Sequence, residues 1–316
     1  MNNPILRLFG VLALSALAAC GAPKQEDTPP VVVPGYEGVE DEGFYIQPVD
    51  AELLTADRAR QEVDYTADDA PGTIVVDTFA RKLYHVQEGG RAMRYAIAVG
   101  REGLSFRGSG VIGRKAKWPS WQPTANMVRT RPDLYLEYAG GRAGGLDNPL
   151  GARALYLYRN GRDSMFRIHG TIQNETIGHA TSAGCIRLFN QDAIHLYDQV
   201  DTGTRVKVRS LEESLAIEGP YMDDAWGRAV PATPENIAQK PLDEQLIVEQ
   251  AAAKAAEEAK AAEEAAKVAA KAEKKRLSAC KRKGIDAADC PLPDVTAAAD
   301  APVSTSVEAK LDAANG

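Results

Sequence analysis

Cysteine and histidine are both scarce, four of each among 316 residues. The histidines, at 85, 169, 179 and 195, show no spacing that would ligate zinc, and neither a metal nor a cofactor is expected. No apolar run reaches the roughly 20 residues that a membrane-spanning helix needs. No motif interleaves aromatic with basic residues, so nucleic acid is not an expected partner. Large residues at heptad a and d positions are missing from the Ala-rich C-terminal third, which argues against a tight coiled coil there.

The longest apolar run is short and lies at the N-terminus. Arg7 gives a basic start, Leu8 to Ala19 is apolar, and small residues lead to Cys20, so 1–19 reads as a signal peptide. Leu17-Ala18-Ala19-Cys20 fits a bacterial lipobox, in which Cys20 becomes the lipidated first residue of the mature chain. The expected location is the periplasm, with the membrane reached through that lipid. Gly21 is not the Asp that resembles an inner-membrane retention signal, which favours the outer membrane.

Composition then divides the chain. Residues 20–70 are acidic and Pro-rich and read as a solvated linker, with one short helix near Ala51 to Val63. Residues 71–210 alternate short apolar stretches with Gly turns and carry 20 basic against 11 acidic residues, a surplus of nine in a chain whose net charge is −7. A basic core would favour a carboxylate-bearing polyanion. Residues 211–242 read as a second linker, 243–283 as an Ala/Glu/Lys-rich helix used as spacer or docking arm, and 284–316 as a disordered tail.

Period-two alternation in TIVVDTF, RKLYHVQ and RYAIAVG predicts an antiparallel meander, and Ala154 to Tyr158, Met165 to His169 and Thr204 to Val208 are further strands. Asn190 as a cap, Asp192 in the first turn and Ile194, Leu196, Tyr197 and Val200 predict a helix. The core domain is therefore mainly β, with one helix packed on it.

An exported chain meets an oxidising compartment, where spare thiols tend to pair. Cys20 would be lipidated, and Cys280 and Cys290 are close enough in sequence to form a disulfide, which leaves Cys185 alone in HATSAGCIRLFN. His169 ends the strand MFRIH, and Gly184 places Cys185 on a tight loop. A Cys-His pair meeting across a cleft is the minimum apparatus for acyl transfer, given a thiol with thiolate character. Ala183 and Gly184 keep the wall low, so that a substrate carbonyl can reach the backbone N–H groups near Cys185.

IHGT followed by SAGCIRLFNQDAIHLYDQVDTGTRVKV resembles the signature of the L,D-transpeptidase catalytic domain, the YkuD family, over about residues 71 to 210. GRKAKWPSWQPTANM and DNPLGARALYLY resemble stretches of its periplasmic proteobacterial branch. The resemblance implies a β-sandwich-like domain in which Cys185 is the nucleophile and His169 its base. It also implies that Ser182 and Gly184 shape an oxyanion pocket, that Arg187 holds a substrate carboxylate or braces the loop, and that Gly170 and Thr171 of IHGT lie in the substrate site.

Two positions depart from the common pattern. Ala183 stands where a His is frequent in the family, and Arg187 where an Asn is frequent; His179 could in principle supply the missing ring. The implied reaction takes peptidoglycan tetrapeptide stems as donor and releases D-alanine. The thioester is then resolved by the amine of a second stem or of an envelope protein. Water as acceptor, giving an L,D-carboxypeptidase or hydrolase, and a non-catalytic wall-tethering lipoprotein remain alternatives. Trp118 and Trp121 would line the substrate cleft, form a lid, or pack in the core.

Overall fold

A computed structural model describes residues 31–100, 108–181 and 184–291, which form two units divided after Ala238. Cys20 and the expected signal peptide lie outside the described residues, as do Ser182 and residues 292–316.

The first unit opens with strands β1 (Val39–Asp41), β2 (Phe44–Ile46) and β3 (Gln61–Asp64). The meander follows as β4 (Ile74–Asp77), β5 (Lys82–Gln87), β6 (Arg91–Ala96) and β7 (Ala98–Gly100), then β8 (Gly108–Lys117). Two short helices, α1 (Ala125–Thr130) and α2 (Pro132–Tyr135), precede β9 (Arg153–Arg159) and β10 (Arg162–His169). The chain continues through β11 (Ala180–Thr181), β12 (Ile186–Arg187), α3 (Asn190–Gln199), β13 (Arg205–Val208), α4 (Leu211–Ile217), β14 (Tyr221–Asp223), β15 (Ala229–Pro231) and α5 (Pro234–Arg282).

Eleven strands share one sheet in the order β11-β7-β12-β10-β9-β8-β13-β4-β5-β6-β3. Only Ile97 separates β6 from β7, yet the two stand near opposite ends of that order. The sheet therefore turns over on itself, and its two faces enclose the core, in the manner of a sandwich. Ile74, Leu83, Tyr95, Ile112, Leu157, Ile168, Ile186 and Val206 fill that core, with Leu196 and Val200 from the α3 segment laid on it. Burying a side chain of this size contributes about 1.5–3 kcal/mol, which is why the period-two pattern fixes the register.

Residues 31–70 are not a linker. Tyr36 is 1% exposed and Val49 2%, β3 pairs with β6, and a 3-10 turn at Ala51–Leu53 replaces the short helix expected over 51–63. Acidic and Pro-rich composition hid this, because a few anchors carry the packing. Residues 211–238 are likewise ordered. Ser210 and Glu213 form a capping box on α4, β14 pairs with β15, and Arg81 donates to the carbonyls of Gly178 and Gly227. β8, ten residues of GSGVIGRKAK, was not legible as a strand because mostly exposed polar residues and glycines interrupt its alternation.

The second unit is the rest of α5 with the turn after it. At 49 residues the helix would measure about 73 Å. It starts before Pro241, nine residues earlier than expected, and is lined by pairs such as Lys267 to Glu263 at 2.8 Å. Cys280 and Cys290 are joined by a disulfide, with Cα atoms 5.9 Å apart. Arg276 Nη1 donates to the Cys290 and Pro291 carbonyls, so residues 284–291 are fastened to the helix end rather than part of a disordered tail. Among the described residues no helix is long and apolar enough to cross a membrane.

Candidate active site

β10 and β12 run parallel, with Ile168 opposite Ile186 and His169 opposite Arg187. Side chains alternate along a strand, and directly opposed residues share a face. Ile168 and Ile186 both enter the core; Arg167, His169, Cys185 and Arg187 consequently occupy the other face. Cys185 is the residue before β12, at the end of that strand that lies beside Arg167 on β10. Cys185 is partly exposed and is the free thiol among the described residues.

Gly184 delivers the thiol. Its φ of +79° lies in the left-handed region that glycine occupies without strain. The Arg167 backbone N–H points at the sulfur, and the Arg167 and Arg187 guanidinium groups add positive charge. Burial nevertheless dominates and pushes the Cys185 thiol up. That shift works against the thiolate character expected from the sequence.

His169 is buried, at 4% exposure. Its Nδ1 lies 2.5 Å from the Gly170 carbonyl, and the Leu150 carbonyl also faces the ring. A carbonyl only accepts, so Nδ1 carries the proton and Nε2 keeps its lone pair. Burial, then the Arg187 charge, pushes the ring down to about 3 despite the two carbonyls. Both shifts favour the uncharged forms, thiol and imidazole.

The other expected residues fall into place unevenly. Arg187 is half-buried, donates from Nη1 to Gln173 Oε1 at 3.2 Å, and feels the charge of Glu175 and the phenol of Tyr135. Thr171 is 2% exposed, and its hydroxyl accepts the Gln173 N–H at 3.0 Å, so it shapes the loop after His169 rather than standing open to a ligand. Gly170 contributes its carbonyl to His169. Trp118 is taken up by the N-terminal segment, donating to Asp41 and lying 4.4 Å from the Phe44 ring. Trp121 packs against Tyr135 and Tyr138 in the excursion between β8 and β9.

His179 belongs elsewhere. It precedes β11, which is separated from β12 by β7, and its Nε2 lies 3.4 Å from Arg58 Nη2. Burial and the Arg58 charge push it down to about 4.

The sequence places Asn190 as a helix cap, but Phe189 occupies that position and makes no side-chain cap bond. The Asn190 amide instead accepts from Ala152 N at 2.9 Å and donates to the Thr171 carbonyl at 3.0 Å. It ties together the chain on both sides of the His169 ring. Nothing in the sequence separates this use from capping, since both place an Asn at a helix start.

Fold and site define a class: β proteins in which a free thiol precedes a strand that pairs in parallel with the strand ending in a buried histidine. The family model for the L,D-transpeptidase catalytic domain, YkuD, matches residues 71–208. A putative L,D-transpeptidase of Fuscovulum blasticum is 36% identical over 137 residues, 43% of this chain and 68% of that protein. A probable L,D-transpeptidase, ErfK/SrfK, of Salmonella typhimurium is 34% identical over 148 residues, 46% of each chain. The chain belongs to the L,D-transpeptidase catalytic-domain family. Its matches span about half the length of the curated relatives ErfK/SrfK from Salmonella and Escherichia coli, 46% and 43%. A crystal structure titled a probable carnitine operon oxidoreductase, from Brucella melitensis, is 44% identical and covers 50% of this chain and 96% of its own. The TM-score between the two is 0.35.

Proposed function

We propose that the protein is a cysteine-dependent L,D-transpeptidase that works on peptidoglycan stem peptides in the periplasm. The supporting observation is the pairing of β10 with β12, which sets Cys185 and His169 on one face with Arg167 and Arg187 beside them.

In this reading Cys185 Sγ attacks the carbonyl between the L-centre of diaminopimelate and D-alanine. His169 Nε2 takes the thiol proton as the S–C bond forms and then gives it to the nitrogen of departing D-alanine. The tripeptide is left as a thioester. An amine of a second stem, or of an envelope protein, loses its proton to His169, attacks the thioester and restores the thiol. Deprotonation coincides with attack, because the resting pair is neutral. Arg187 stabilises the developing negative charge and attracts the carboxylates of the stem, whereas the Arg167 guanidinium is held by Asp163 at 2.8 and 3.0 Å; backbone N–H groups near Cys185 face the oxyanion. Lipidated Cys20 holds the mature chain to the outer membrane.

The test is mass spectrometry of tetrapeptide stems incubated with the purified full-length protein. Loss of D-alanine with a new 3→3 crosslink is expected. Tripeptide without crosslink would make water the acceptor, and unaltered stems with a folded protein would overturn the reading.

A further inference from the structure

Residues Val31 to Ala70 precede the segment that the family model matches, yet they contact the chain on both sides of the Asn190 junction. On one side Gln191 Nε2 donates to the carbonyls of Glu37 at 3.2 Å and Gln47 at 2.9 Å. Asp192, fully buried, pairs with Arg60 at 2.9 Å and accepts from the Tyr36 hydroxyl at 3.2 Å. The Tyr36 ring meets Phe189 edge to face at 5.8 Å.

On the other side the Asp41 carboxylate takes both terminal nitrogens of Arg153, at 2.6 and 2.8 Å, together with Trp118 Nε1 at 2.8 Å. Trp118 N in turn donates to the Ala152 carbonyl. A bidentate guanidinium pair of this kind fixes orientation as well as distance, and Arg153 is nearly inaccessible to solvent.

The contacts flank the atoms that hold His169. Ala152 and Thr171 are joined through Asn190, and the carbonyls of Leu150, two residues before Ala152, and of Gly170, next to Thr171, face the imidazole. A shift of Arg153 or of the start of α3 would pass through Asn190 to both carbonyls. We infer that the N-terminal segment is a positioning part of the active site, in which Asp41 on Arg153 and Tyr36 with Arg60 on Asp192 clamp the Asn190 junction and so set the orientation of His169 towards Cys185. This rests on the acyl-transfer reading for its effect on turnover, though not for its effect on the thiol.

Asp41→Asn and Tyr36→Phe in the full chain test it, with Asp69→Asn as control. Asp69 holds Lys207 and Tyr65, away from these contacts. Turnover of stem peptides, melting temperature and the pH profile of Cys185 alkylation are measured for all three. Asp41→Asn and Tyr36→Phe should each lower kcat about tenfold, with KM within about twofold, since a misplaced base slows chemistry more than binding. Both should also move the Cys185 alkylation profile, whereas Asp69→Asn lowers the melting temperature and leaves kcat and the profile alone. Variants that lose melting temperature but keep kcat and the alkylation profile would overturn the inference. If the wild type leaves stems unaltered, the acyl-transfer reading fails by itself. The alkylation profile then decides the clamp, and Tyr36→Phe, which removes one hydroxyl, decides it should Asp41→Asn not fold.

Discussion

A β-carbon built on Gly170 would overlap the Asn190 amide oxygen, and one built on Gly151 would overlap the same atom. Two glycines from separate loops thus close around one side chain beside the His169 ring. Gly170→Ala should destabilise the domain by about 1–3 kcal/mol, the usual range for an overpacked site. Urea denaturation checks this. Combining it with Asn190→Ala should cost less than the two single effects added, because the clash is removed together with its partner. Additive losses would show that the overlap is relieved elsewhere.

The neutral Cys185 and His169 pair makes a claim about pH. Burial raises the thiol and lowers the imidazole, so the thiolate fraction near neutrality lies below that of free cysteine. The midpoint for iodoacetamide alkylation should sit above about 8.5, the value for an unperturbed thiol. A reactive plateau persisting below pH 7 would mean that the pair rests as thiolate and imidazolium.

How far the sequence discloses this molecule depends on how local each cause is. β4, β5, β9, β10 and α3 were legible because hydrophobic period is a local property. Cys185 was legible by cysteine arithmetic and by SAGCIR, and His169 by its place at a strand end. The work of Asn190 was not, since it depends on Ala152 and Thr171 meeting in space. The clamp by residues 31–64 was hidden for the same reason: Tyr36 and Asp41 find partners more than 100 positions away. The sign of the thiol shift was also lost, because a motif records neighbours in sequence and not burial.

Asp192 supplies a second pH effect. Burial pushes its carboxyl up to about 6, against the pull of Arg60 and Tyr36. A folded value above the unfolded one means that the folded state binds the proton more tightly. That contribution is complete below about pH 4 and is lost as pH rises through about 6. Asp192→Asn abolishes the titration, so wild type should lose stability relative to this variant by a few kcal/mol between those limits, at about 1.4 kcal/mol per pH step. Urea midpoints measured across the range check it, and parallel curves for the two proteins would refute it.

The Cys280–Cys290 disulfide closes ten residues at the end of α5. Its reduction should free the turn and fray the last helical turns, at a local cost of about 2–3 kcal/mol. Hydrogen exchange should quicken around Leu277 to Arg282 while the melting temperature of the β unit stays constant. Thiol labelling of unreduced, denatured protein should mark Cys185 and spare both tail cysteines.

His169 and His179 make opposite predictions for catalysis. The sheet order puts β7 between β12 and β11, so the strand after His179 lies about 10 Å from that of Cys185, at about 4.8 Å per strand. Its ring also faces Arg58 rather than the thiol. His169, by contrast, stands on β10 directly beside β12, with Nδ1 committed to Gly170 and Nε2 left basic. A positioned base contributes about 10² to 10⁴ in rate, and His169→Ala should lower acylation of Cys185 by stem peptide by that factor. His179→Ala should change it by less than about tenfold, which corresponds to about 1.4 kcal/mol. Melting temperatures of the two variants separate lost chemistry from a lost fold, and His169→Ala should keep that of wild type within a few degrees if its effect is chemical. If His179→Ala lost acylation and His169→Ala kept it, the base would be His179, and the pairing of β10 with β12 would be scaffold alone.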